Sequence, residues 1–317
     1  MRRVLFLVFC LLISACQEKS SPASIVTPAE NLQVLTPQSQ LSTPPPTIAN
    51  YQLPISSPTL NLQSLISNSQ TPMPTLDPVD WKTWPVTPIV DPSIRAIYEY
   101  GQTLGNDPHA FSIFGDCQSR PADFFGVFET DPNAVKNLSP ELRETVANFR
   151  GSFNRESPTS QDGTTPGALL WTQWHRGEYG CTFDETPVEC ELRIHRPSFV
   201  IIQVGTHFES RNTEYLRKII TQLIDAGVVP ILATKADNRE LDDRVNRDMA
   251  LLASEFDLPL WNFWAALSDL PNRGLYVMKD RELQGAIYLD EEASARHRMT
   301  GLEALNIVWR VATNTSR

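Results

Sequence analysis

The sequence predicts an α/β fold: a three-layer α/β/α domain around a five-stranded parallel sheet. Two observations carry the prediction. Five short apolar runs read as strands buried on both faces, and amphipathic helical patterns lie between them. Roughly 230 residues are available to build it, enough for one sizeable core.

The runs are Ala110 to Phe114, Thr145 to Phe149, Phe199 to Val204, Val228 to Thr234 and Leu258 to Phe263. The third and fourth are rich in Val and Ile, as covered parallel strands are. In Thr213 to Ala226, Leu216, Ile219, Ile220, Leu223 and Ile224 recur at helical spacing, and Gly227 stands where a C-terminal cap belongs. Asn238 to Phe256 repeats the pattern with Val245, Met249, Leu252 and Phe256. A last helix is expected over Thr300 to Val311, with Leu302, Leu305, Val308 and Trp309 inward. Strand–helix alternation implies a parallel sheet with right-handed crossovers, and the order expected for it is the flavodoxin-like 2-1-3-4-5. The irregular stretch 158–197 reads as an insertion, and no internal repeat is present.

The N-terminus reads differently. Met1-Arg2-Arg3 is basic, Val4 to Ile13 is almost wholly apolar, and Ile13-Ser14-Ala15 places small residues before Cys16. This is a secretory signal pattern whose apolar run is too short to span a membrane. With a cysteine at the cut site it resembles the lipobox of bacterial lipoproteins, which implies lipidation of Cys16. The expected product is extracytoplasmic and anchored to the lipid bilayer through Cys16. Residues 17–85 are expected to form a tether: 17–80 hold eleven prolines, abundant Ser, Thr, Gln and Asn, and few charges. The domain then spans 86–317.

The formal net charge is −10, and loss of Arg2 and Arg3 makes the mature chain more acidic still. With no basic patch, nucleic acid is not an expected partner. Once Cys10 leaves and Cys16 is lipidated, Cys117, Cys181 and Cys190 remain. Outside the cytoplasm Cys181 and Cys190 can close a short loop as a disulfide, leaving Cys117 unpaired. His109, His175 and His195 read as surface or loop residues. No pair of them has metal-ligand spacing with a third ligand, so no metal or other cofactor is expected. Trp261 and Trp264 read as core, whereas Trp171 and Trp174 in the insertion could line a carbohydrate-binding rim.

Chemistry is expected beyond the carboxyl ends of the strands. The first strand ends in Gly115-Asp116-Cys117-Gln118-Ser119, the third in Gly205-Thr206-His207, and His297 precedes the last helix. A cysteine on a strand-to-helix turn gains thiolate character from the helix N-terminus. His297 could serve it as general base or imidazolium partner. The candidate catalytic residues are therefore Cys117, His297 and Asp116.

Those segments resemble the SGNH or GDSL hydrolases. Gly115-Asp116-Cys117-Gln118-Ser119 looks like the first block, Gly-Asp-Ser-x-Ser. Val200 to His207 resembles the strand leading to Gly-Thr-Asn-Asp. His297-Arg298-Met299-Thr300-Gly301 looks like the final His-Leu-Thr-x-x-Gly block. The order and spacing match over nearly all of residues 95–313. The resemblance implies an SGNH-like fold and an ester (acyl) hydrolase or acyltransferase. Its nucleophile would stand at 117, its base at 297, and its oxyanion donors at 117, at a second-block glycine (Gly151 or Gly163) and at 207; Gly205 belongs to the same binding loop. The chain departs from the pattern at several places. The nucleophile is Cys117, the asparagine position holds His207, Phe208 replaces the following aspartate, and Ser294 stands where the acid belongs, with Asp290, Glu291 or Glu292 as alternatives.

Three functions stay open. The first is an envelope-anchored acyl hydrolase or acyltransferase, with an acylated carbohydrate as its substrate. The second is a catalytically degenerate descendant that binds a glycan or envelope partner. The third is a thiol redox role for Cys117, which no CxxC motif supports.

Overall fold

The chain divides into two units, residues 1–68 and 69–317, and the described residues all lie in the second. A computed structural model describes residues 76–277 and 287–315. Cys16 and its surroundings lie outside them.

Four parallel strands, β1 (Asp107–Gly115), β2 (Pro197–Gln203), β3 (Val229–Ala233) and β4 (Leu260–Trp261), form one sheet in the order β1-β2-β3-β4. Alternate residues serve opposite faces, as the two-residue period of a strand requires. Phe111, Ile113, Phe199, Ile201 and Ile231 pack with α1 (Ile94–Leu104), α4 (Pro140–Asn148) and α10 (Glu291–Thr313). Phe114, Val200, Ile202 and Leu232 pack with α6 (Pro187–Ile194), α7 (Asn212–Asp225) and α8 (Arg244–Glu255). The result is three layers, α/β/α, with the short helices α2 (Val127–Thr130), α3 (Pro132–Lys136) and α9 (Phe263–Ala266) in the connections. An antiparallel pair, β5 (Leu275–Tyr276) with β6 (Tyr288–Leu289), leads into α10. Among the described residues no helix is long and apolar enough to cross a membrane.

The expected second strand, Thr145 to Phe149, is instead the end of helix α4. Leu142, Thr145 and Val146 are buried at helical spacing, Ser139 accepts the Leu142 N–H at 3.3 Å as N-cap, and Pro140 opens the first turn. Among the described residues the free edge of β1 carries only a one-residue parallel bridge, Gly115 to Ser160. The described sheet is thus four-stranded, and its order never reverses. The crevice expected between a first and a third strand at a reversal is absent from it.

Gly227 takes φ +67° just past α7, the left-handed conformation that closes a helix. Helix α8 begins at Arg244 rather than near 238, because 238–243 form a loop with Leu241 and Asp243 in positive φ. Helix α10 begins nine residues before Thr300. Asp290 accepts the Ala293 N–H at 2.8 Å, and Glu291 and Glu292 sit in the first turn, where acidic groups stabilise a helix start. His297 therefore lies inside α10, not ahead of it.

Residues 76–85, assigned to the tether by composition, belong to the fold. Trp81 and Trp84 are buried, and fully buried Asn262 holds the strap in place. Its Nδ2 donates to the Trp81 and Trp84 carbonyls at 2.9 and 3.1 Å, and its backbone N–H donates to Val86 O at 3.0 Å. Two tryptophans bury more apolar surface than the surrounding prolines can offset, so composition misplaces the boundary. The 158–197 stretch contains α5 (Pro166–Leu169), α6 and a Cys181–Cys190 disulfide whose Cα atoms lie 5.3 Å apart.

Candidate functional site

The carboxyl end of β1 turns sharply into a single 3-10 turn, Cys117–Ser119. A Cβ on Gly115 would lie 2.3 Å from that of Ser119, so the turn accepts only glycine there. Asp116 caps the turn and crosses to the next strand: it accepts the Gln118 N–H at 3.3 Å and the Thr206 N–H at 3.0 Å. Burial pushes its carboxyl up to about 6, the Asp237 carboxylate adds to the rise, and the Thr206 N–H opposes it. Asp116 thus ties two loops together and is not directed at an imidazole.

Cys117 is half-buried and unpaired. Burial, then the charges of Asp116 and Asp162, push its thiol up to about 12. A three-residue turn supplies too little dipole to offset the burial and the two carboxylates. The lowered thiol expected from sequence is replaced by one that stays protonated at neutral pH.

His297 is fully buried. Its ring stacks on Phe124 at 4.0 Å and lies 4.4 Å from Phe263 and 5.4 Å from Trp261. Nε2 donates to Gln203 Oε1 at 2.6 Å, an oxygen that also accepts from Ser119 Oγ at 3.0 Å. Nδ1 is buried without a partner among the described residues. Burial pushes the imidazole down to about 3, with the charge of Arg298 in the same direction. No hydrogen bond joins His297 to Cys117 among the described residues. His297 is instead tied to the turn that carries Cys117 through a Ser119–Gln203–His297 chain inside the core.

Among the described residues no carboxylate orients the ring. Asp290 caps α10, Glu292 pairs with Arg296 at 2.9 Å, Glu291 is exposed, and Ser294 Oγ donates to Leu289 O at 3.4 Å. Of the two candidate second-block glycines, Gly151 has its N–H engaged by Glu129 at 2.5 Å, so it is not a free oxyanion donor. Gly163 follows the segment that meets block one, where Gly115 N–H donates to Thr159 O at 2.9 Å and Ser160 Oγ to Ser119 O at 3.0 Å. Gly205 takes φ +131°, and a Cβ there would lie 2.5 Å from Val245. His207 is half-buried after it; burial, then the Arg239 charge, lowers its imidazole. Phe208 is 37% exposed. His175, read as a surface residue, is buried, and its Nε2 donates to Glu185 O at 2.9 Å.

An ion cluster follows β3 that the sequence pattern does not reveal. Lys235 Nζ donates to Asp237 at 2.9 Å and to Glu240 at 2.5 Å, and all three are buried. Thr206 Oγ1 donates to Asp237 at 3.1 Å, and Arg239 donates to Thr206 O at 3.2 Å. The only trace in the sequence is Lys235, Asp237 and Glu240 spaced within seven residues of the end of β3. Breaking such a buried network is costly, so it fixes the loops after β2 and β3. Among the described residues no group of His, Cys, Asp and Glu is arranged to hold a metal ion.

No family model matches the chain, and no curated protein does. Among solved structures it is similar to a GDSL-like lipase from Bacteroides thetaiotaomicron, with 13% identity and a TM-score of 0.39 over 68% of this chain and 98% of that one.

Proposed function

We propose that the chain is an SGNH-related α/β lipoprotein, held at the outer face of a bacterial membrane by lipid on Cys16, that binds a glycan or other envelope partner rather than hydrolysing esters. The observation that carries the second half is the placement of His297. A general base must lie within hydrogen-bond reach of the proton it removes and be free to accept it. Here Nε2 is committed to Gln203 and the ring is sealed among Phe124, Trp261 and Phe263. Thiol and imidazole are both neutral at pH 7, so no thiolate–imidazolium pair is available for acyl transfer. The same protonated thiol argues against a redox role. The lipid anchor rests on Cys16 and the apolar run before it.

The test uses the full chain, exported with its own signal segment. Hydrolysis of an activated acetate ester should not exceed the background rate, and iodoacetamide should label Cys117 more slowly than free cysteine. Ester turnover that disappears in both Cys117→Ala and His297→Ala overturns the non-hydrolytic reading. Cys16→Ser should release the protein from membranes; retention of that variant overturns the anchor.

A further inference from the structure

We infer that a groove beside the strap is a docking site for a basic segment of a partner protein, with an apolar side chain inserted between cationic ones. The groove has a volume of about 540 Å³, within the range of sites that bind ligands. Trp84, Pro85, Ile89, Leu258 and Leu260 give it an apolar lining. Its charged residues are all of one sign: Asp77, Asp91 and Asp257, with no lysine or arginine among the residues that line it. Among the described residues the Asp77 carboxylate accepts only the Val79 N–H, that of Asp91 only the Ser93 N–H, and that of Asp257 has no partner. Each carboxylate therefore keeps oxygen free for a cation.

Charge complementarity selects the occupant. Three unneutralised carboxylates around an apolar lining attract a ligand with positive charge on either side of a hydrophobic anchor. The chain's own preceding segment does not fit that description, since residues 17–75 contain one basic residue, Lys19. A second copy fits poorly, because two chains of net charge −10 repel. The groove also goes beyond the function proposed above. Leu258 leads into β4 and marks the amino end of the parallel sheet, whereas Cys117 follows β1 at the carboxyl end. Binding in the groove does not depend on whether Cys117 is catalytic.

The test is titration of the full chain with the peptide Lys-Leu-Lys-Phe-Arg, followed by calorimetry and by tryptophan fluorescence, with Glu-Leu-Glu-Phe-Glu as control. Saturable binding of the basic peptide alone is expected, weakening as NaCl rises. The combined Asp77→Asn, Asp91→Asn and Asp257→Asn variant should raise Kd about tenfold. Ser254→Arg is the second variant: Ser254 is an exposed lining residue, and a guanidinium there should fill the groove and abolish binding. Cys117→Ala should bind like the parent. No binding of the basic peptide, equal binding of the acidic one, or binding unchanged by Ser254→Arg overturns the proposal.

Discussion

Acid should destabilise this protein through one ring. In the unfolded chain His297 titrates near 6.5, whereas in the fold burial holds it down to about 3. Between those values the unfolded state binds a proton that the folded state refuses. His297 therefore supports the fold fully above pH 6.5, and that support is withdrawn as pH falls toward 3. Once pH is well below 6.5 each unit withdraws about 1.4 kcal/mol, and the loss integrated from pH 7 to pH 4.5 is about 3 kcal/mol. His195, pushed down to about 4 by burial, acts in the same direction. Asp116 acts oppositely: its carboxyl, raised to about 6 from 3.8, supports the fold at low pH, and that support is lost as pH rises through 6. The raw pH curve therefore mixes signs, and a variant isolates the ring. His297→Phe keeps an aromatic in the slot between Phe124 and Trp261 and removes the titration. Urea unfolding of parent and variant, followed by tryptophan fluorescence at pH 7 and pH 4.5, gives the two stability gaps. Relative to the variant, the parent should lose about 3 kcal/mol across that interval. A gap that does not change with pH would refute the sealed-imidazole argument, whatever its size at pH 7.

Three further outcomes follow from packing and charge. Lys235→Met leaves Asp237 and Glu240 buried without their cation and should cost about 3–5 kcal/mol; neutralising both partners as well, with Asp237→Asn and Glu240→Gln, should recover part of it in the same urea assay. Replacing Cys181 and Cys190 by serine opens a short loop, with a sequence separation of 9, and should cost about 3 kcal/mol by the same measurement. Gly301→Ala places a Cβ 2.8 Å from Phe124 and 2.9 Å from Trp261, and should lower stability by about 1–3 kcal/mol through overpacking.

What the sequence made legible follows physical lines. The strands around Phe111, Val200 and Ile231 stand out because burial on both faces demands unbroken apolar runs. Thr145 to Phe149 looks the same over five residues. Only a wider window shows Leu142, Thr145, Val146 and Phe149 at helical spacing behind a Ser-Pro start. The disulfide partners are adjacent enough in sequence to be named before the fold is known. The site is less legible, because motif order fixes which loop a residue occupies and not where its side chain points. His297 matches the resemblance by position, yet one helix start moved upstream turns it into the core. The buried Lys235 cluster was hidden for a different reason: charged residues after a strand read as solvated unless their partners are known.

The way the chain enters the fold decides how a mechanical load reaches it. Whatever pulls on the residues before Leu76 acts first on the strap, whose hydrogen bonds to the sheet's end run through one asparagine just past β4. Asn262 serves as a rivet: its three hydrogen bonds, with the Lys82–Asp243 ion pair and the Trp81–Trp264 contact beside them, take the tension at one end of the sheet instead of sharing it along a strand. A tug from that side would peel Trp81 and Trp84 away before it strained β1, β2 or β3, and would uncover the outermost strand while the rest of the domain stayed folded.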